Sequence, residues 1–435
     1  MYLACKKKYI QFAKLLLSMI VTISSTAAFA QNVTSPYSIF GVGDIETKDF
    51  GRYFGMGSTS IALRNGAAFN FSNPASLTAL DPKVMNFDFI MRGRVSNFLV
   101  PGRDTVTSPS KDFAIRRISL AYKPEKRWAF AFGLRPYSTV NYMLNDSAKL
   151  ADNTSILSKS VDGNGGLNQV FLSNGFALNK NFSVGLTTSV LFGTLQTNTT
   201  YTSSGIGLDV TRNEYDALHA LMFTGGLQYA GKLSKHITQQ LGFTISNAAK
   251  LTGQWSTEYV TSDSTITTEV NAAKHITLPV QIGVGYALVF NDNLTLSADY
   301  TSYNWKYQKV NYPSSYIDKA FRFSAGAEYS FKGKAGLQTV EKYYLQAGFS
   351  YEQSYIHVNN NPLADYSYSI GFGNRVTNGF GYRISNGGLS YNLGFEFGKK
   401  GSTSNNQIRE SYTQFVIGLS FKAFWFNSAK YGKYN

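Results

Sequence analysis

Cysteine is almost missing from this 435-residue chain; the single example, Cys5, lies in the first thirty residues. Those residues read as a secretory signal, with Lys6, Lys7, Lys8 and Lys14 as the basic region, residues 15–23 as the apolar core and Ala28-Phe29-Ala30 as the cleavage site. A mature chain starting at Gln31 then carries no cysteine, which excludes disulfides and thiolate metal sites. Cys5 also precedes the apolar core, so it cannot serve as a lipoprotein anchor. Long hydrophobic runs are missing too. The core of the signal is shorter than the about 20 residues a spanning helix needs, and nothing after Ile23 comes closer. If the chain enters a membrane, it must do so as a closed barrel. Charge is scarce, at 15% of residues. Without the four signal lysines the balance is 37 Lys+Arg against 26 Asp+Glu, a net +11. For an exported chain this argues against nucleic acid and for outer-membrane lipid and lipopolysaccharide phosphate, or for plain solubilising charge in loops.

What is abundant is aromatic and small: Tyr 29, Phe 32 and Gly 39. From about residue 84 the chain alternates with period two. In residues 275–290, Ile276, Leu278, Val280, Ile282, Val284, Tyr286, Leu288 and Phe290 share one face, opposite Thr277, Gln281, Gly283, Gly285 and Ala287. The same division recurs in WAFAFGLR (128–135), FSVGLTTSVLF (182–192) and LSYNLGFEFG (389–398). A soluble sandwich would cover its outer face with Lys, Glu and Thr. Here the second face is Gly, Ala, Ser and Gln, which suits a barrel lumen, while the aromatic face suits lipid. The alternating segments are 84–98, 113–123, 128–144, 167–179, 182–203, 215–233, 236–261, 275–290, 294–307, 319–331, 343–356, 366–376, 387–400 and 414–426. They predict an all-β fold: a transmembrane antiparallel β-barrel of about fourteen strands over 84–426.

Connections 124–127, 180–181, 234–235 and 291–293 are short, and those between them are longer, the longest spanning 145–166. Short periplasmic turns alternating with long outer loops place both termini in the periplasm. Residues 332–342 and 378–388 would then be unusually long turns. The aromatic cluster Phe424-Trp425-Phe426 reads as an interfacial girdle or insertion signal, followed by a short periplasmic tail, 427–435. Four histidines, His219, His236, His275 and His357, sit in no motif that names a serine or carboxylate partner, so no enzyme, metal or cofactor is expected.

Residues 31–83 are too irregular for another hairpin. They hold Gly55-Met56-Gly57 and, after a stretch of small residues, Asn73-Pro74-Ala75. This arrangement resembles the N-terminal hatch of the long-chain fatty acid transporter family, the FadL/TodX-like outer-membrane channels for hydrophobic compounds. Where that family commonly has glycine after Asn-Pro-Ala, this chain has Ser76. The resemblance implies a fourteen-stranded barrel in the outer membrane of a Gram-negative bacterium, with 31–83 as a plug. It also implies diffusion of hydrophobic small molecules or fatty acids through the plugged barrel, with lateral exit at a kink in the third strand. Pro136, which cannot donate to a ladder, is the candidate for that kink. By parity Arg92, Arg94, Arg117, Arg135 and Arg322 face the lumen, as candidate contacts for a ligand carboxylate or as partners of Asp44, Glu46, Asp49, Asp88, Glu328 and Glu396. The barrel assembly machinery is an expected partner. The alternative is a scaffold or carrier of a secretion apparatus of type IX kind, which is built on the same family and binds secreted proteins.

Overall fold

A computed structural model describes residues 35–66, 68–102, 109–149, 156–203, 209–261, 264–270, 276–309, 314–335, 338–376 and 388–424. The signal segment 1–30, the tail 427–435, Trp425, Phe426, His275 and most of 378–388 lie outside the described residues. Fourteen antiparallel strands make one ring: β1 (Val84–Leu99), β2 (Ser110–Tyr122), β3 in two halves (Trp128–Pro136 and Ser138–Lys149), β4 (Ile156–Ala177), β5 (Phe182–Ser203), β6 (Asp209–Lys232), β7 in two halves (Ile237–Ser246 and Ala249–Val260), β8 in two pieces (Ile276–Leu278 and Val280–Phe290), β9 (Leu294–Asn304), β10 (Ala320–Ala335), β11 (Gln338–Val358), β12 (Asn361–Val376), β13 (Gly388–Lys400) and β14 (Arg409–Phe424). The ring closes where β1 meets β14, from Val84 opposite Phe424 to Leu99 opposite Arg409. Closure joins the first strand to the last, as a spanning sheet requires.

Alternation decides which face each residue takes. Phe132, Leu172, Leu186, Ile370 and Phe395 point out and are exposed, while Ala131, Ser173, Thr187, Ser369 and Glu396 point in and are buried. Two expectations need correcting. Residues 145–149 and 156–166, expected in a loop, are strand: the second half of β3 pairs with β4 from Val140 opposite Gly165 to Lys149 opposite Ile156. Likewise β6 starts at Asp209 and β11 runs into β12 through Asn359 and Asn360, both at positive φ as a tight hairpin turn demands. Beyond the lipid neither face is apolar, so the hydropathy alternation stops although the ladder continues. Residues 332–342 behave in the same way, pairing from Lys332 opposite Glu341 to Ala335 opposite Gln338. The second correction concerns β8. Pro279 interrupts it, and Leu278 is buried in the lumen while Ile282, Val284 and Tyr286 are exposed outside. The run 276–290 therefore does not share one face.

Residues 35–83 pack against the inward face of the ring with three short 3-10 turns, Pro36–Ile39, Arg52–Met56 and Pro74–Ala79. A two-residue strand, Asp44–Ile45, pairs with Ser138 and Thr139 of β3.

Candidate functional site

An irregular segment inside a lumen must find partners for its backbone, because no water-facing side is available. Asn73 does this at the lower end. Its Oδ1 accepts from Ala75 N–H at 3.1 Å, capping the turn that Pro74 starts, and its Nδ2 donates to the carbonyls of Ile61 (2.9 Å) and Leu227 (3.1 Å). Pro74 and Ala75 lie directly on the wall at Gly185, where a Cβ would stand 2.4 Å from the Pro74 carbonyl carbon. Further along the ring Met56 and Gly57 lie against Gly326 and Gly348 in the same manner; a Cβ on Gly348 would be 2.1 Å from Gly57 N. Gly57 ends its turn at φ 66, a conformation glycine adopts without cost. Gly55 meets Gly371 backbone to backbone. Both sequence motifs therefore mark places where segment and wall touch without intervening side chains.

Between these contacts the lumen is charged and paired. Arg92 bonds Asp112 (2.6 Å) and lies 3.7 Å from Glu46; Arg94 bonds Glu410 (2.6 Å); Arg117 bonds Asp49 (2.5 Å) and lies 3.7 Å from Asp88. Arg135 and Arg322 donate instead to backbone carbonyls, of Glu46 at 3.3 Å and of Thr47 at 3.3 Å and Gly57, and the Arg135 guanidinium also lies 4.5 Å over the Phe71 ring. All five predicted arginines thus hold residues 44–57 or their wall neighbours. Parity missed Arg116, which a bulge between Ile90 and Met91 turns inward to bond Glu46 at 2.6 Å. It also missed the cations of the irregular segment. Arg52 bridges Glu328 (2.7 Å) and Glu341 (2.7 Å) and stacks 3.9 Å over Tyr344, and Lys48 pairs with Glu396. Burial pushes the Asp44 carboxyl up, but the charge and hydrogen bond of Lys400 at 2.6 Å, with Arg94 beyond, outweigh it and hold the group below its ordinary value. A cavity of about 90 Å³ among Asp44, Lys48, Arg92, Arg94, Glu352 and Asp365 is bordered by the same network.

Above this layer the lumen is apolar. Tyr37, Phe40 and Val42 pack among Tyr137, Val140, Leu167, Leu191, Leu251 and Leu278, and Trp305 stacks on Tyr355 with ring centroids 4.6 Å apart. The wall changes beside this layer. Pro136 is the last residue of the first half of β3, and Tyr137 stands between the halves, donating to Leu167 O at 2.7 Å. Below the break β2 pairs with β3 from Tyr122 opposite Phe130 to Ile118 opposite Leu134. Above it, residues 111–115 of β2 pair with β1, and no strand among the described residues pairs their other edge. The upper half of β3 turns to Asp44–Ile45 instead. The three described histidines lie apart: His357 stacks on Tyr316, His219 faces Thr252 and His236 is on an exposed turn.

The same architecture is known from solved structures. A FadL homologue of Pseudomonas aeruginosa is 12% identical over 88% of this chain and 99% of its own, with a TM-score of 0.59. The Ralstonia pickettii toluene transporter TbuX is 15% identical over 85% of this chain and 97% of its own (TM-score 0.55), and the Pseudomonas putida toluene transporter TodX 15% over 88% and 100% (TM-score 0.55). No curated protein matches the sequence. The overall fold is thus of the FadL/TodX kind, and the model of one family, BamG, matches residues 12–432. The chain belongs to the BamG family.

Proposed function

We propose that this outer-membrane barrel is a passage for hydrophobic compounds, long-chain fatty acids among them, which enter the apolar upper lumen and leave sideways between β2 and β3. The observation that carries the reading is the divided third strand: among the described residues β2 has no pairing with β3 above Ile118, beside Tyr137 and Val140, which line the apolar layer. Residues 31–83 act as the plug, a reading supported by the contacts of the described residues with the wall at Gly185, Gly348 and Gly371. The fold shared with proteins described as toluene transporters supports the same reading. A neutral compound needs no cation, and the lumen arginines serve the plug first. In vesicles carrying the protein, a labelled fatty acid or toluene analogue crosses faster than in empty ones. Replacing Pro136 by Val, which restores a ladder donor at the break, lowers that rate several-fold in a barrel that still folds. An unchanged rate contradicts lateral exit.

The family description favours a second reading, in which the barrel works beside the barrel assembly machinery as an accessory, and the densely paired lower lumen agrees with it. Co-purification with that machinery after cross-linking, in a protein that gives no uptake, would favour it over the first.

A further inference from the structure

The charge excess of the mature chain is not spread evenly over the two rims. On the short-turn rim the exposed cations among the described residues are Lys83 before β1, Lys126 and Arg127 after β2, Lys180 after β4, Lys232 and Lys235 after β6, and Lys332 and Lys342 of the β10–β11 hairpin. The acids near that rim are Glu125 and Asp292, both exposed, and the half-buried Asp81 and Glu341, which pair with Lys422 and Arg52. Near the opposite rim, among the described residues, the exposed and half-buried cations Lys111, Lys149, Lys159, Arg212, Lys306, Lys319, Lys399 and Arg409 are matched by Asp112, Asp146, Asp162, Asp209, Glu214, Asp216, Glu258 and Asp318. The cations also follow the aromatic belt. Arg127 precedes Trp128, Lys180 lies two residues before Phe182, Lys332 follows Phe331 and Lys342 precedes Tyr343, and Trp128, Phe182 and Tyr343 are exposed to the lipid side.

Aromatic rings at this position lie at head-group depth. A lysine or arginine one or two residues further out reaches the phosphate layer, its stem along the apolar wall and its charge in the head groups. We infer that the short-turn rim is a basic collar that binds the anionic phospholipids of the periplasmic leaflet. Its cations recur on four turns spread around the ring rather than on one side, which fits an annulus of small head groups better than one face of an acidic protein. The β8–β9 turn, Asn291 to Asn293 around Asp292, is the one interruption among the described short turns. Each cation near an anionic surface adds attraction that salt screens.

Tryptophan quenching by brominated lipid reads this contact, because Trp128 stands beside Lys126 and Arg127. A variant with Trp255, Trp305 and Trp425 each changed to Phe leaves Trp128 as the reporter, and heat-dependent gel mobility checks that the barrel is folded. In vesicles mixing brominated phosphatidylglycerol with plain phosphatidylcholine, or the reverse, phosphatidylglycerol should quench with several-fold preference at low salt. That preference should approach unity at high salt and in the Lys126→Gln/Arg127→Gln/Lys180→Gln variant of the reporter. Equal quenching by the two lipids at low salt in the folded reporter protein overturns the inference, and is the result expected if the collar instead serves an acidic protein.

Discussion

Arg52 shows what a single side chain does in this lumen. It is buried between Glu328 and Glu341 and covers the Tyr344 ring, so three wall residues depend on one residue of the irregular segment. Replacing Arg52 by Met keeps much of the volume but strands the buried Glu328 and the half-buried Glu341. Breaking a buried pair in this way costs about 3–5 kcal/mol, and the unfolding midpoint in denaturant should fall accordingly. Adding Glu328→Gln and Glu341→Gln to that variant should recover a good part of the loss, and no recovery would mean that packing, not charge, is what Arg52 supplies. Legibility at this scale followed regularity. Arg92, Arg94, Arg117, Arg135 and Arg322 were readable because each lies on an alternating strand. Arg116 was not, since one bulge shifts the parity, and neither were Lys48 and Arg52, which lie where no period exists.

At the scale of elements, the third strand and the segment beside it form one unit. Asp44–Ile45 completes the edge that β3 presents above its break, and the Asp44–Lys400 pair fixes that small strand. The Asp44 pKa is depressed, so its contribution is present above the unfolded carboxylate value of about 3.9 and is lost as pH falls through the folded one. Hydrogen exchange of residues 40–46, corrected for intrinsic rate, should therefore show steady protection from pH 8 to pH 5 and loss below about pH 4. Protection that fades between pH 8 and pH 5 would mean another group governs the docking. The strands themselves were legible to within a few residues wherever one face met lipid. They were misread where Thr, Ser and Asn occupy both faces, as over 145–166, and where Pro279 carries the chain from the lumen to the outer face. Hydropathy records the lipid boundary and not the hydrogen-bond ladder, so it stops at the membrane although the strands do not.

For the whole molecule, two layers share one lumen. The lower is fixed by charge pairs and by backbone meeting backbone at Gly185, Gly348 and Gly371; the upper is apolar and filled by Tyr37, Phe40 and Val42. Closed antiparallel architecture and the number of strands could be read from alternation and turn length. The break beside Tyr137 was expected from the family resemblance, with Pro136 as its candidate; alternation alone offered only a proline in a regular run, because which neighbour a strand leaves is a property of the ring. The account's central claim is that hydrophobic compounds occupy the upper layer and leave through that break. The most direct test is an experimental density map of the protein in lipid with a heavy-atom-labelled fatty acid at saturating concentration. The account predicts density against Tyr137, Val140 and Leu167, reaching toward residues 111–115, with residues 37–42 displaced. A lumen still filled by Tyr37, Phe40 and Val42, with label only on the outer wall, would contradict it.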